Sequence, residues 1–293
     1  GVMKYEGDII RPPSEAYSLL LQVTVGCSHN RCTFCPSFKG KRFRIKGFDE
    51  IVEDLDYAAR RFRRVERLFL CDGDALIIPQ KRLIDILDAI RARLPGVVRI
   101  GTYANAKSIR KKSVEELREL KERGLGIVYL GIESGNEQIL VNIRKGTTVA
   151  RIVEAARRVK EAGITLSVTV LLGIGGVAMS REHARDTARI LTEVDPDYAG
   201  VLTVMIVPGT PLYEQARTGA FVLPGTFELL EELGVIVAES RFTDCFFTAN
   251  HASNYLPIRA RMPQDREKVL RLIGDVLRRK DVAMLRPESI RGL

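Results

Sequence analysis

Six short apolar runs alternate with stretches of helical spacing, and this alternation restricts the chain to few architectures. Leu19–Val25, Arg67–Cys71, Val98–Tyr103, Ile127–Gly131, Thr165–Leu172 and Tyr198–Val204 each have the length and composition of a strand. Between them, Leu83, Leu87, Ile90 and Leu94 form one helical stripe and Ile152, Ala156 and Val159 another, while Gly124 and Gly163 stand where helices stop before the next strand. Strands joined by helical crossovers run parallel, so the pattern predicts an α/β fold. Six βα units fall short of the eight that close a barrel. The expected architecture is therefore an open, partial (β/α)6 TIM-like barrel over residues 18–216, with an N-terminal extension at 1–17 and a short C-terminal cap at 217–293. Parallel barrels carry their working residues at the carboxyl ends of strands, and the unusual motifs of this sequence stand at such ends.

The first of these motifs is Cys27, Cys32 and Cys35, directly behind the first apolar run. Thiolates spaced Cys-x4-Cys-x2-Cys on a loop leaving a strand are able to wrap one iron–sulfur cluster, and three ligands leave one iron of a cubane open to a small molecule. Two alternatives compete, of which a ferredoxin shares the opening spacing. A ferredoxin takes a fourth cysteine, for which Cys71 is the candidate, but 293 residues and a long strand–helix series do not describe a short electron carrier. A zinc site needs a second Cys or His pair, which is missing, and His29 inside the loop is alone.

Five cysteines, an odd number, with no charged-then-apolar leader before Leu19 and no apolar run of about 18 residues, argue for a cytoplasmic, oxygen-sensitive protein with no membrane span. With 45% hydrophobic residues the chain has material for one large core.

The segment Val25-Gly26-Cys27-Ser28-His29-Asn30-Arg31-Cys32-Thr33-Phe34-Cys35 resembles the radical S-adenosylmethionine (SAM) superfamily, including the aromatic residue before the third cysteine. The resemblance implies a 4Fe–4S cluster on Cys27, Cys32 and Cys35, with SAM chelating the remaining iron and Phe34 near its adenine. Leu70-Cys71-Asp72-Gly73-Asp74 is similar to the family's Gly-Gly-Glu segment, whose backbone binds the SAM amino group, although Asp72 and Asp74 depart from the first Gly and the Glu. Leu130-Gly131-Ile132-Glu133-Ser134-Gly135 and the following Gln138–Gly146 look like the branch that holds coproporphyrinogen-oxidase-like proteins, methylthiotransferases and the elongator catalytic subunit. There Glu133 is expected to accept from the ribose hydroxyls and Arg144 to pair with the SAM carboxylate. Gly173-Ile174-Gly175-Gly176 resembles the glycine-containing adenine segment, and Asn105 and Met205, beyond the third and sixth strands, are further SAM-facing candidates. Val207–Glu214 again resembles the coproporphyrinogen-oxidase-like branch, so the likeness covers roughly residues 18–216.

The resemblance implies an oxidoreductase-like radical reaction. A one-electron donor such as flavodoxin or ferredoxin supplies the electron, and a 5′-deoxyadenosyl radical takes hydrogen from a small-molecule or peptide substrate. Candidates for contacts to that substrate lie in Cys245–Pro257 and just beyond: His251, Tyr255 and Arg259, with Cys245 as a hydrogen-atom donor. A minimal core with a short cap is expected, without a cobalamin domain, an appended RNA-binding barrel, an acetyltransferase domain or a second cysteine cluster, which favours a small or peptide substrate. Two further readings stay open: a haem chaperone of the coproporphyrinogen-oxidase-like branch, ligated by His251, Cys245 or His183, and a tRNA-modifying enzyme. The latter rests on net charge +9 and on two basic clusters, Lys39, Lys41, Arg42, Arg44 and Lys46, then Arg60, Arg61, Arg63 and Arg64.

Overall fold

A computed structural model of the chain describes residues 3–29, 31–36, 42–251, 253–280, 282–287 and 291. The backbone clusters into two compact units, the first made of Gly1–Asn30, Ser37–Leu130 and Glu154–Leu166, the second of Arg31–Pro36, Gly131–Val153 and Ser167–Leu293.

In the first unit, β1 (Leu19–Gln22) is followed by a two-residue antiparallel pair, β2 (Thr24–Val25) with β3 (Arg44–Ile45). Then come β4 (Arg67–Cys71), β5 (Arg99–Ala104) and β6 (Leu125–Glu133), whose last three residues belong to the second unit. β1 pairs with β4, β4 with β5 and β5 with β6, all parallel. The first apolar run of the sequence is thus two strands, because the chain leaves the sheet at Val23, which donates to Cys71 O and accepts from Lys46 N. Helices Phe48–Arg61, Gln80–Arg93 and Val114–Glu122 bury the stripes Ile51, Leu55 and Ala58, then Leu83, Leu87 and Ile90, then Leu117 and Leu120. Leu20, Phe69, Cys71, Ile127 and Tyr129 form a core cluster, with Tyr103 packed against it. Phe69, Tyr103 and Tyr129 meet edge-to-face, an arrangement that adds to area burial.

The residues expected to be an extension are tied into this unit. The Tyr5 hydroxyl donates to Leu20 O and Lys4 N to Asp54 Oδ1. Buried Glu15 accepts from the Ser18 hydroxyl, from Arg99 at 2.5 Å and from the Tyr129 hydroxyl. Of the basic cluster after the cysteine loop, Lys46 is not a surface charge: it is 1% exposed and paired with equally buried Asp54 at 3.2 Å. Arg44 is held by Glu6 and Glu50, and Lys39 and Lys41 lie outside the described residues. Arg60, Arg61, Arg63 and Arg64 are exposed.

In the second unit β7 (Thr165–Leu172, from Ser167 onward) and β8 (Tyr198–Thr203) pair in parallel. β9 (Cys245–Thr248) lies parallel to β8, and β10 (Arg259–Met262) closes the edge antiparallel to β9. β9 and β10 were not among the expected strands. Each is only four residues, and β10 alternates arginines with Ala260 and Met262, so no apolar run announces it. Helices Ser180–Val194 and Thr226–Glu239 pack on each other, and Arg266–Arg279 packs on the latter. The strand–helix alternation of the sequence is thus realised as a mostly parallel α/β fold. No helix of the described residues is long and apolar enough to cross a membrane.

Candidate functional site

In the first unit the carboxyl end of the β1–β2 segment carries Gly26 and Cys27, and the carboxyl end of β4 carries Asp72, Gly73 and Asp74. These two turns are bolted together. The buried Asp72 Oδ2 accepts from Gly26 N at 2.9 Å and from Gln22 Nε2 at 3.2 Å, and Asp72 N donates to Thr24 O. Gly73 N donates to Gly26 O at 3.2 Å. A Cβ on Gly73 would sit 3.0 Å from Gly26 O and 3.1 Å from the Cα and Cβ of Cys27, so the close approach needs glycine. The departures from Gly-Gly-Glu acquire local reasons here: Asp72 staples the cysteine loop, and Asp74 caps the turn Ala75–Ile77 by accepting from Leu76 N. Burial pushes the Asp74 carboxyl up to about 7. Asn105 caps the helix Ala106–Arg110, its Oδ1 accepting from Ser108 N. A cleft of about 500 Å³ beside Val25, lined by Glu6, Gly7, Arg42, Phe43 and Arg44, gathers none of the expected site residues.

In the second unit the segment Cys32–Cys35 is stitched to two places further along the chain. Thr33 N donates to Ile143 O, Thr33 O accepts from Leu212 N, and the Cys32 sulfur lies 3.9 Å from Arg144 O. Phe34 and Cys35 are half-buried. Glu133, at the end of β6, and Arg144 both hold positive φ, 66° and 57°, a conformation rarely adopted without reason by such residues. Glu133 is 7% exposed and faces Lys145 Nζ at 3.6 Å. Behind it, Ser134 is fully buried, and Gly135 packs so tightly on the helix Ser180–Val194 that a Cβ there would sit 2.1 Å from Asp186 O. At the end of β7, Gly173 turns with φ 83° and its N–H is taken by Glu232 at 2.9 Å.

Met205 follows β8, its sulfur 3.2 Å from the Arg291 guanidinium, which stacks on Tyr255 at 3.9 Å. The loop after β9 is fixed to the same strand end: Asn254 accepts from the Thr203 hydroxyl and donates to Val201 O, and the His251 ring is bonded to Ser253. Burial and Arg286 hold the His251 ring below its ordinary pKa. Two expected substrate contacts stand elsewhere. Cys245 begins β9 beside the amino end of β8, and burial pushes its thiol up to about 12. Arg259 lies on the exposed face of edge strand β10, its guanidinium 5.8 Å over the Phe246 ring.

The alternative ligands are also placed. Cys71, the fourth ligand of a ferredoxin reading, points into the core cluster. His183, a haem-ligand candidate, is fully buried with both ring nitrogens engaged. Cys27, Cys32 and Cys35 form no disulfide and are all half-buried. Among the described residues no three His, Cys, Asp or Glu side chains are gathered closely enough to hold a metal ion. The chemistry of the donors nevertheless fits an iron–sulfur cluster: three soft sulfurs outside any disulfide at Cys-x4-Cys-x2-Cys spacing, with Cys27 in a turn fixed by Asp72 and Gly73. The sequence reading passed over Gln22, Ser134, Thr187 and Glu232. Glu232 carried a signal, a carboxylate inside the apolar face Leu229, Leu233 and Ile236.

A mostly parallel α/β scaffold with unusual polar and glycine-bearing motifs at the carboxyl ends of its strands is that of an enzyme. The model of the radical SAM superfamily matches residues 21–191, and the chain belongs to that superfamily, whose members use a 4Fe–4S cluster and SAM. It is 28% identical over 220 residues to an uncharacterised methyltransferase of Pyrococcus horikoshii, a match covering 74% of this chain and 46% of that protein. Coproporphyrinogen III oxidase of Escherichia coli, a radical SAM enzyme, superposes with TM-score 0.57 at 16% identity, over 75% of this chain and 51% of that one. A radical SAM methyltransferase of Kitasatospora setae, solved with cobalamin and a 4Fe–4S cluster, gives TM-score 0.57 at 21% identity, over 71% and 41%. These structural likenesses establish the fold, the TIM-like partial barrel of the superfamily. The chain spans about half the length of these relatives.

Proposed function

We propose that Cys27, Cys32 and Cys35 hold a 4Fe–4S cluster and that the surrounding strand ends bind SAM for a radical reaction on a small-molecule or peptide substrate. When bound, this pair supplies one-electron reductive cleavage of the SAM sulfonium to methionine and a 5′-deoxyadenosyl radical, which takes a hydrogen atom from the substrate.

The chain's own residues have separate tasks in this reading. Asp72 and Gly73 fix the turn that presents Cys27, and the backbone of Gly73 and Asp74 offers hydrogen bonds to the SAM amino group. Glu133 accepts from the ribose hydroxyls, Arg144 receives the carboxylate, and Gly173 brings main chain against the adenine, with Phe34, Asn105 and Met205 along the same ligand. His251 and Tyr255, tied to the end of β8, are the substrate-facing candidates. Cys245 and Arg259, on β9's amino end and on the outer edge, are given no part. The chemistry requires a one-electron reductant, such as a flavodoxin or ferredoxin.

The observation that carries the reading is the set of three uncrosslinked thiols at Cys-x4-Cys-x2-Cys, inside the region matched to the superfamily. Its test is anaerobic reconstitution with iron and sulfide, reduction with dithionite in the presence of SAM, and chromatography for 5′-deoxyadenosine. Product from the wild type and none from Cys32→Ala supports it; a cluster that forms and never cleaves SAM, with trial substrates present, overturns it. The exposed arginines Arg60, Arg61, Arg63 and Arg64 favour a second reading, contact with an RNA substrate. Binding of tRNA that does not weaken with added salt, or no binding, removes it.

A further inference from the structure

Three buried polar side chains in the second unit form a chain that ends on the two strand termini read above as SAM contacts. The Ser134 hydroxyl lies 2.8 Å from His183 Nδ1, and His183 Nε2 lies 2.8 Å from Leu171 O. Glu232 Oε1 stands 3.8 Å from the same Nε2 and accepts from Gly173 N, while Oε2 accepts from the Ser180 hydroxyl at 2.6 Å. Thr187 closes the ring, its hydroxyl 3.3 Å from Nδ1 and accepting from Gly135 N. Ser134, His183 and Glu232 are at most 2% exposed.

A serine–histidine–glutamate order invites a nucleophile reading, and the geometry rejects it. Ser134 Oγ is fully buried and already accepts from Asn136 N at 3.1 Å, so no substrate reaches it. Carbonyl oxygens only accept, so Nε2 carries the ring proton towards Leu171 O and Nδ1 accepts from Ser134.

We propose that His183, in this one tautomer, is a positioning residue that locks the Ser134 turn at the end of β6 to the Leu171–Gly173 end of β7, and so sets Glu133 and Gly173 for an adenosyl ligand. The ligand itself rests on the function proposed above. Glu133 sits in a left-handed conformation, φ 66°, which its surroundings must hold, whereas Gly173 takes its φ of 83° without strain and needs only its position fixed. Each is one or two residues from an atom bonded to the imidazole. Burial keeps the ring neutral, its pKa pushed down to about 4, which preserves the acceptor at Nδ1 across the neutral range. The groups facing it are Ser134, Thr187 and Asp186 on one side and Glu232 on the other.

The test uses the reconstituted full chain and S-adenosylhomocysteine, an adenosyl probe that is not cleaved, in calorimetric titration of wild type, Ser134→Ala, His183→Phe and the double variant. Affinity is expected to fall about tenfold in each single variant, with iron content retained. The double variant is expected to lose little more, as members of one unit are not additive. Nitrogen chemical shifts of His183 are expected to report the neutral Nε2–H form, and to change in Ser134→Ala. Wild-type affinity in Ser134→Ala, or strictly additive losses, overturns the inference, and Ser134→Ala keeps it exposed should His183→Phe not fold. No titration by the wild type overturns it together with the function it rests on, whereas titration by wild type and variants alike overturns the positioning role alone.

Discussion

Asp72 and Gly26 are joined by a 2.9 Å hydrogen bond in which the buried carboxylate accepts the glycine amide one residue before Cys27. The charge of the carboxylate strengthens that bond, and its removal leaves the Gly26 N–H without this acceptor inside the protein. Asp72→Ala is expected to cost about 1–3 kcal/mol of stability and to lower iron uptake. Urea unfolding and iron per chain check both, and unchanged values in both would show that the bond does not organise the loop.

Gly73 is expected to be as sensitive for a steric reason. Alanine there places a Cβ 3.0–3.1 Å from backbone atoms of Gly26 and Cys27, and backbone does not swing aside as a side-chain tip does. We expect Gly73→Ala to destabilise by about 1–3 kcal/mol and to impair cluster assembly, read as iron and sulfide per chain. A variant that assembles normally contradicts the close approach.

The cysteines separate into two kinds. Cys32→Ala is expected to abolish the cluster, whereas Cys71→Ala, which trims a core side chain, is expected to lower stability by roughly 1 kcal/mol and leave iron content intact. Loss of iron in Cys71→Ala would restore the four-cysteine ferredoxin reading.

Stability is expected to depend on pH through Glu232. Burial raises its folded pKa from 4.5 to about 7, so between those values the folded state holds a proton that the unfolded state has released, and stability falls as pH rises. The window closes above about 7, where both states are ionised. Asp74, also raised to about 7, adds a slope of the same sign, while His183, lowered to about 4, adds the opposite slope up to its unfolded value near 6.5. Relative to wild type, Glu232→Gln is therefore expected to gain up to about 3 kcal/mol between pH 4.5 and 7. Denaturant midpoints measured across that range decide it, and parallel curves would show that the carboxyl titrates as if exposed.

Lys46 and Asp54 form a buried pair, and breaking it from one side strands a charge. Lys46→Met is expected to cost about 3–5 kcal/mol, and pairing it with Asp54→Leu to recover most of that loss. A double variant no more stable than the single would show that Lys46 acts through its bond to Lys4 O instead.

The sequence by itself determined the parts that local chemistry controls. Apolar period and punctuation located β4 and β7 to the residue, the stripe Ile152, Ala156 and Val159 is fully buried, and Gly124 and Gly163 take the positive φ that ends a helix. Three thiols at fixed spacing are likewise a local property, legible without coordinates. Tertiary structure decided what depends on residues far apart in the chain. Lys46 belongs to a basic run until Asp54 and Lys4 O enclose it, and Cys245 stands near His251 in sequence but at the other end of its strand. Ser134, His183 and Glu232 span 99 residues and share no motif, because hydrogen bonding in a dry interior depends on position and not on order along the chain.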